Sequence, residues 1–403
     1  MGLKNNLFPY DSKISAFQYS HLSWKLMPID FNQIPSPCYV IDETLLRNNL
    51  ALIKKVKETA GGDILVSLKA FSNWGLFPIF KEYGLGASVS SLNEAQLAFE
   101  ELGVKAHIYS PAYEEKTIAD ILKYCSHISF NSLNQFQRYS TMASQQGVSV
   151  GLRINPEFSD TSYDLYNPCK PGSRFGITLD QLNDDLPAQV EGFHFHTLFE
   201  ADASALERLV DVVGKRFDKY LSKLRWVNLG GGHLITRKNY EVNHLIHILV
   251  DFKNKYGVKI ILEPGSAFTY KTGYLVSTIL DIVENSGIKT AVLDVSFTCH
   301  MPDCLEMPYK PVILGATDEQ TGKPTYRMGG ISCLAGDFMG NWSFERKLTP
   351  GDKIIFDDMI HYTTVKTTMF NGIQHPSIGI WNETSGFRLI REFNYQDYKN
   401  RLS

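Results

Sequence analysis

The sequence has no long apolar run and no strongly basic segment. No stretch of its 403 residues approaches the roughly 20 apolar residues that cross a bilayer, so we expect no membrane contact. A net charge of −3 without a lysine- or arginine-rich run argues against a nucleic-acid partner. The amino terminus lacks the apolar core of a signal peptide and the serine or threonine of a myristoylation motif. These features predict a cytoplasmic protein.

Cysteines are few and widely spaced. The six of them lack the spacing of a disulfide framework. The closest pair, Cys299 and Cys304, encloses a histidine and an aspartate, which are also metal-ligand types. No second cluster in the sequence completes a structural zinc site. We therefore expect free thiols and no metal.

Short strand-like segments alternate with helical ones through the middle of the chain. Alternating β and α elements predict a parallel sheet, and eight such units predict a (β/α)8 barrel of the α/β class. Helices are expected between most strands. The predicted barrel strands are 64–68, 86–89, 107–109, 128–130, 148–154, 192–196, 226–229 and 259–262, with helices at 91–102, 114–124, 133–146 and 203–223.

The pattern changes after about residue 270, where strand-like runs are joined by turns rich in glycine, proline and aspartate. This texture predicts a second, β-rich domain resembling a β-sandwich or barrel. We predict an N-terminal extension at 1–34, the barrel at 44–269, and the β-rich domain at 35–43 plus 270–403. The predicted strands of this domain are 37–41, 274–283, 290–296, 325–328, 353–356, 360–368 and 377–381.

Polar residues collect at the carboxyl ends of the predicted barrel strands. Lys69 follows the first strand, His196 ends the sixth, and Glu263 follows the eighth. Ser91 and the run Gly230–Gly232 follow the second and seventh strands. Barrel enzymes assemble their sites at this rim. We therefore expect these residues to form one site.

The residue types at this rim suit a phosphorylated aldehyde cofactor. A lysine can form its Schiff base, a glycine run can present N–H groups to its phosphate, and a carboxylate such as Glu263 can keep its ring nitrogen protonated. The alternatives are a solvent-facing Lys69 and a tight glycine turn without a ligand. His196 can stack on a ring, whereas His194 also fits a core histidine.

An ordered series of motifs resembles the fold-type III pyridoxal-phosphate decarboxylases, which include ornithine and diaminopimelate decarboxylases. Within that group, segments 300–309, 330–337 and 391–401 look like the carboxynorspermidine/carboxyspermidine decarboxylase family. The resemblance covers about residues 36–403. Its motifs are Lys69, Ser173-Arg174-Phe175-Gly176, His194-Phe195-His196, Gly230-Gly231-Gly232, Glu263-Pro264-Gly265, Ser332-Cys333, Tyr362 and Phe370-Asn371-Gly372.

This resemblance implies a carboxy-lyase of polyamine biosynthesis that uses pyridoxal 5'-phosphate. It would decarboxylate carboxynorspermidine, carboxyspermidine or both, giving norspermidine and spermidine. Lys69 would form the Schiff base, Glu263 would pair with the pyridine nitrogen, and His196 would stack on the ring.

The resemblance also implies how the phosphate is held and how the product is protonated. Gly230, Gly231, Gly232, Ser91 and Tyr362 would contact the cofactor, most of them at its phosphate. Cys333 would cross from a partner subunit and protonate the carbanion after carbon dioxide leaves. We therefore expect a homodimer with active sites at the subunit interface.

A polyamine substrate has distal cationic nitrogens, and an unpaired buried ammonium is costly. We therefore expect acidic side chains in the distal pocket, and the candidates are Asp303, Glu306 and Asp337. Further predicted substrate contacts are Arg174, Glu200 and His300.

Three residues depart from the pattern of ornithine decarboxylase. Ser266 replaces an arginine after Glu-Pro-Gly, Phe199 replaces a phosphate-binding serine, and Leu334 replaces the aspartate after the catalytic cysteine. The missing aspartate would bind the far amine of a diamine, so its absence argues against ornithine as the substrate. Glu200 is expected to replace part of the pocket for that amine.

Other functions are open at this point. One is decarboxylation of another basic amino acid such as diaminopimelate, and another is a non-catalytic homologue that regulates polyamine metabolism. An alanine-racemase-like enzyme would place an arginine where this chain has Glu263.

Overall fold

The computed structural model describes residues 29–161 and 166–403. These residues divide into two compact units, one formed by the chain up to Leu46 with Thr269–Ser403 and the other by Arg47–Phe268. Within the described residues, no helix is both long and apolar enough to cross a membrane.

The unit Arg47–Phe268 contains a closed barrel of eight parallel strands in sequential order, β2 to β9. The predicted (β/α)8 barrel and α/β class are therefore confirmed. Every strand lies within a few residues of its predicted position. The strands are β2 Asp63–Ser67, β3 Gly86–Val89, β4 Ala106–Tyr109, β5 Cys125–Phe130, β6 Ser149–Arg153, β7 Gly192–His194, β8 Trp226–Asn228 and β9 Lys259–Leu262.

Several helices around the barrel begin at a polar cap. The Ser132 hydroxyl accepts a hydrogen bond from the Gln135 N–H, and the Asp202 carboxylate accepts one from the Ala205 N–H. Such caps satisfy donors that the first helical turn leaves without partners. The helices are α1 Glu43–Ala60, α2 Phe77–Lys81, α3 Leu92–Leu97 continued by a π-helical turn at Ala98–Leu102, α4 Glu115–Tyr124, α5 Leu133–Gln145, α6 Ala203–Leu221 and α7 Val242–Tyr256.

One large side chain, Trp226, fills space inside the barrel near the amino-terminal ends of its strands. A Cβ atom added to Gly192 or Gly151 would lie 2.0 Å or 2.3 Å from the indole ring. The indole N–H donates a hydrogen bond to the Ser149 hydroxyl over 2.8 Å. The indole therefore fits only because two neighbouring strands present glycine to it.

The second unit is β-rich, as predicted, and its nine strands form one mostly antiparallel sheet. Its main path runs β12-β14-β13-β11-β10-β1-β16-β17, and β15 pairs with β10. The strands are β1 Cys38–Asp42, β10 Gly273–Asn285, β11 Ile288–Leu293, β12 Ala316–Thr317, β13 Thr325–Gly329, β14 Phe338–Phe344, β15 Lys353–Asp357, β16 Ser377–Asn382 and β17 Gly386–Arg391. Short helices complete it, at α8 Phe297–His300, α9 Pro302–Glu306, α10 Tyr362–Val365 and α11 Tyr395–Asn400.

The predicted strand at 360–368 is wrong, because this segment contains α10. Its β-branched residues suggested a strand, but the Thr364 hydroxyl lies 3.3 Å and 3.1 Å from the carbonyl oxygens of Ile360 and His361. A helical threonine can make such a bond to the preceding turn, so β-branched residues do not exclude a helical conformation here.

The predicted N-terminal extension at 1–34 includes residues that belong to the core of the β-rich unit. Ile29, Phe31 and Ile34 are buried in the core of the β-rich unit, beside Val40 and Tyr274. Lys353 fixes this segment by donating hydrogen bonds to the carbonyls of Phe31 and Ile34, over 2.5 Å and 2.6 Å. Residues 1–28 lie outside the described part of the chain.

Candidate active site

Lys69 lies in the turn that follows β2, at the carboxyl end of the barrel. Its side chain is accessible, yet protein surrounds the ammonium on most sides. The resulting desolvation lowers the pKa of Lys69, Arg153 lowers it further, and the Glu263 carboxylate opposes both. A lowered pKa increases the neutral fraction of the amine, and the neutral amine is the nucleophile.

Glu263 follows β9 and is only 7% exposed. The Asn228 amide donates a hydrogen bond to its Oε1 over 2.7 Å, and Ser88 also bonds to its carboxylate. Burial raises the pKa of Glu263, while these hydrogen bonds and the positive charge of Lys69 oppose that increase. The site therefore holds a buried carboxylate with fixed orientation.

His196 lies two residues beyond the end of β7, because the strand ends at His194 and not at His196 as predicted. The Gly231 N–H donates a hydrogen bond to its Nδ1 over 3.0 Å. Desolvation, with the positive charges of Lys69 and Arg153, lowers the pKa of His196 far below its ordinary value. The ring is therefore neutral, with its proton assigned to Nε2.

His194 is a buried neighbour of the Glu263 carboxylate. Its Nε2 lies 3.4 Å from Oε2 of Glu263, and the ring packs edge-on against Tyr109 with centroids 5.4 Å apart. Desolvation lowers the pKa of His194 far below its ordinary value, so the ring is neutral. The histidine therefore forms part of the wall behind the site.

The glycine run is required by close backbone packing. Gly230 and Gly232 have φ values of +76° and +89°. A Cβ on Gly231 would lie 2.2 Å from the Glu263 carbonyl oxygen, and a Cβ on Gly232 would lie 2.1 Å from that of Leu198. Larger residues cannot fit without moving the backbone.

Two of the glycine N–H groups already have acceptors in the protein. Gly230 donates to Oδ1 of Asn228 over 2.8 Å, and Gly231 donates to His196. These hydrogen bonds connect the glycine run to the side chains of Asn228 and His196. Phosphate binding by the run stays a prediction.

Arg153, at the end of β6, was not predicted as a site residue. It is 4% exposed, donates a hydrogen bond to the His196 carbonyl over 2.8 Å, and stacks on Tyr109 with its guanidinium carbon 4.6 Å from the ring centre. Asn228 and Ser88 were also missed. All three alternate with apolar residues on barrel strands, and this inward alternation was the available signal.

Ligand atoms of His194, His196 and Glu263 lie within 4.8 Å of one another, so this group has metal-ligand types. Gly231 and Asn228 already donate hydrogen bonds to two of its members. The prediction of no metal stays a prediction.

The predicted catalytic cysteine lies in the β-rich unit. Cys333 is exposed, and its N–H donates a hydrogen bond to Oδ1 of Asn371 over 2.8 Å. Asp337 connects the same loop to α8, because its two carboxylate oxygens accept from the N–H groups of Ser332 in the loop and Thr298 in α8, each over 3.1 Å. Asp337 therefore has a structural task inside this loop.

Two of the predicted distal acids share one lysine. Lys366 Nζ lies 2.7 Å from Asp303 and 2.6 Å from Glu306, so these acids are already paired with a cation. The Lys366 ammonium also lies 5.6 Å from the ring centre of Tyr362. His300 is fully buried, and its Nδ1 accepts from the Ser296 N–H over 3.2 Å.

The remaining predicted contacts lie in loops of the barrel unit. The Ser91 hydroxyl caps α3 by accepting from the Glu94 N–H over 3.2 Å. Arg174 is exposed and stacks on Phe175, with its guanidinium carbon 4.2 Å from the ring centre. Glu200 is exposed and has a φ of +45°. Their binding roles stay predictions.

The residues at the barrel rim fit pyridoxal phosphate. Lys69 offers an amine with a lowered pKa, Glu263 offers a buried carboxylate, and His196 offers a neutral ring. The three glycines keep the rim free of side chains where a Cβ would collide with the backbone. This combination supplies what an aldehyde cofactor with a basic ring nitrogen needs.

Comparison with known proteins gives the family. The profile of the pyridoxal-dependent decarboxylases, pyridoxal binding domain, matches residues 50–270. A carboxyaminopropylagmatine decarboxylase of Synechocystis is 46% identical over 92% of this chain and 96% of its own length. A carboxynorspermidine/carboxyspermidine decarboxylase of Campylobacter jejuni is 42% identical over 92% of this chain and 99% of its own length.

Solved structures agree with this assignment. The crystal structure of the Campylobacter jejuni carboxynorspermidine decarboxylase complexed with norspermidine has a TM-score of 0.85 and 40% identity, over 91% of this chain and all of that one. A diaminopimelate decarboxylase of Helicobacter pylori, at 19% identity and a TM-score of 0.78, shares the fold. Pyridoxal phosphate is therefore the cofactor, as predicted, and the chain is a carboxy-lyase that belongs to the pyridoxal-dependent decarboxylases, together with the carboxynorspermidine/carboxyspermidine decarboxylases.

Proposed function

We propose that this enzyme decarboxylates a carboxylated polyamine, namely carboxynorspermidine, carboxyspermidine or both. The products are norspermidine or spermidine and carbon dioxide. The observation that supports this substrate class is the likeness to relatives named for it, at 42% and 36% identity over 92% of the chain. Retention of Lys69 and Glu263 at the barrel rim argues against a catalytically silent homologue and against a racemase.

Several side chains would hold the cofactor and support its chemistry. When bound, pyridoxal phosphate supplies an electron sink for the electron pair that remains when carbon dioxide leaves. Glu263 would place a negative charge against the ring nitrogen, and Asn228 fixes the orientation of that carboxylate. His196 would cover the ring as a neutral imidazole. Lys69 would hold the cofactor through its amine and would accept or release a proton at Nζ.

The phosphate contacts include Gly231, Gly232 and Tyr362 in this proposal. Phe199 and Ser266 stand where ornithine decarboxylase has a serine and an arginine, so one hydroxyl group and one positive charge are absent from those positions. Backbone N–H groups then provide a larger share of the binding, as at other anion sites.

A homodimer completes the proposed site. Cys333 is exposed on a loop that Asp337 and Asn371 hold in place, which suits a thiol that protonates a carbanion in a neighbouring subunit. In Cys333→Ala, we expect less of the correct decarboxylation product. An unchanged rate and an unchanged product would show that Cys333 does not protonate the carbanion. The predicted cytoplasmic location stays a prediction.

Carboxyaminopropylagmatine is the second candidate substrate. It is favoured by the 46% identity to the relative named for it. Agmatine ends in a planar guanidinium, whereas a spermidine chain ends in an ammonium. A bidentate carboxylate suits the former and a point-charge contact suits the latter, so the two candidates differ at the distal end of the substrate.

The test is a substrate panel that measures carbon dioxide release by the purified holoenzyme. The panel contains carboxynorspermidine, carboxyspermidine, carboxyaminopropylagmatine, diaminopimelate, ornithine and arginine. We expect the highest kcat/KM for one of the first two. A preference for carboxyaminopropylagmatine would establish the second candidate, and a preference for any of the last three would overturn both. Lys69→Ala is the inactive control, and Lys123→Ala, at an exposed lysine paired with Asp120, is the matched active control.

A further inference from the structure

A separate cavity opens at the amino-terminal end of the barrel, where strands β2, β3, β4, β5 and β9 begin. Its volume is about 520 Å³, within the range of small-molecule sites. Asp63, Gly86, Lys105, His127 and Lys259 line it, and all of them lie at or near the starts of these strands. Lys69 and Glu263 lie at the opposite, carboxyl ends.

Two stacked histidines form part of its wall. The rings of His107 and His127 are 3.8 Å apart between centroids and inclined by 22°. His107 is only 9% exposed, and no hydrogen bond from its ring to residues 29–161 or 166–403 is observed. Burial lowers the pKa of His127 to about 4, so this imidazole is neutral near pH 7. Neutral rings can each donate one N–H to a ligand.

The charge around the cavity is positive. Lys81 and Lys105 line it, and neither has an ion-pair partner in the described part of the chain. Lys259 also lines it, but Asp63 pairs with that ammonium over 2.5 Å. With three lysines and one aspartate, the lining has a net charge of +2 at neutral pH. A dianionic ligand would balance it.

We propose that this cavity binds a small phosphomonoester, with Lys105 and Lys81 pairing with the phosphoryl group and His107 donating a hydrogen bond to it. The volume favours a phosphomonoester over free phosphate, because phosphate alone would leave most of about 520 Å³ empty. The apolar side chains of Leu65 and Leu102 in the lining suit the uncharged part of such a molecule.

The test is calorimetric titration of the holoenzyme, whose pyridoxal phosphate site is already filled, with glycerol 3-phosphate and with inorganic phosphate. We expect saturable binding of glycerol 3-phosphate and weaker binding of phosphate. Lys105→Ala and His107→Gln should each weaken binding about tenfold, the effect of losing one hydrogen bond to a charged group. Decarboxylase activity without the ligand should not change in Lys105→Ala.

Lys123→Ala is the control, because Lys123 is exposed on α4 and outside the cavity lining. Circular dichroism melting checks that each variant is folded. Saturable binding that Lys105→Ala weakens and Lys123→Ala leaves unchanged supports the site. No heat of binding for either ligand, or equal affinity in all variants, overturns it. Equal affinity for phosphate and glycerol 3-phosphate would show that the cavity recognises only the phosphate anion, and it would overturn the proposal of a phosphomonoester ligand.

Discussion

Lys69 and Glu263 influence each other's protonation at the barrel rim. Burial lowers the pKa of Lys69, and the Glu263 carboxylate opposes that shift. Glu263→Gln removes the opposing charge, so the pKa of Lys69 falls further and the amine is neutral at lower pH. We expect the pH midpoint for binding of pyridoxal phosphate to apoenzyme to move to lower pH, although decarboxylation is impaired. Stopped-flow absorbance across a pH series measures this midpoint.

Glu114→Gln is the control for this charge effect, because Glu114 is exposed and pairs with Lys116 at the surface. Its midpoint should equal that of the unmodified enzyme. A midpoint that is unchanged or moved to higher pH in Glu263→Gln would contradict the proposed coupling.

Asn228 joins two parts of the site through one amide. Its Nδ2 donates to Glu263 and its Oδ1 accepts from Gly230. Asn228→Asp keeps the acceptor for the Gly230 N–H but replaces the donor to Glu263 with a carboxylate oxygen. Two carboxylates then face each other, and their repulsion raises the pKa of this carboxylate pair. We expect pyridoxal phosphate to bind about tenfold or more weakly, as for loss of a hydrogen bond to a charged group. Fluorescence titration measures the Kd.

A purely structural role would lower stability without altering the spectrum of bound cofactor. The visible absorbance of the Asn228→Asp holoenzyme should therefore show a changed pH dependence. Asn254→Asp, at an exposed position of α7, is the matched control. Wild-type affinity together with a wild-type spectrum in Asn228→Asp would refute the positioning role.

At the scale of elements, the loop after β8 depends on glycine because other backbone segments approach it. Gly231→Ala places a Cβ 2.2 Å from the Glu263 carbonyl, so the loop must move. Overpacking of this kind costs about 1–3 kcal/mol, and here it also displaces the N–H that bonds His196. We expect lower thermal stability and weaker cofactor binding, measured by melting and fluorescence titration.

Gly340→Ala is the matched control, because its Cβ would meet only Lys310 side-chain atoms at ordinary contact distances from 3.7 Å. It should melt close to the unmodified enzyme. If both substitutions have the same effect, close backbone approach is not the reason for the glycine at position 231.

Much of the fold was predictable because the barrel strands have an apolar, repeated pattern. The second domain was harder, and β14 was missed because Gly340 and Asn341 interrupt its apolar residues. The segment 360–368 shows the opposite error, since β-branched residues there form a helical turn. Lys69, His196 and Glu263 lie just past strand ends, so their place at the barrel rim was predictable from that spacing, and their roles stay predictions. Asn228 and Ser88 were not predicted, because their role depends on contacts between strands distant in the sequence.

For the whole molecule, buried neutral histidines predict sensitivity to acid. Burial lowers the pKa of His300 to about 3 and that of His233 to about 4. In the unfolded chain, the ordinary value is about 6.5. The unfolded state therefore binds protons first, so stability is complete above about pH 6.5 and is lost as the pH falls towards the folded values.

His300→Asn tests this linkage. Asparagine can still accept the Ser296 N–H but does not titrate, so the fall in stability between pH 7 and pH 5 should shrink by about 2 kcal/mol. Denaturant unfolding at both pH values measures the difference. His247→Asn, at an exposed position, should retain the full fall. An equal fall in His300→Asn and the unmodified enzyme would show that His300 is not linked to acid unfolding.

The Trp226 indole has a consequence for how this barrel can diverge. Because Gly192 and Gly151 leave no room for a Cβ beside it, neither glycine can change while the indole remains. Replacing the indole alone would open a hole between the two glycines. Positions 151, 192 and 226 therefore constrain one another, and we expect each relative either to keep all three residues or to replace all three.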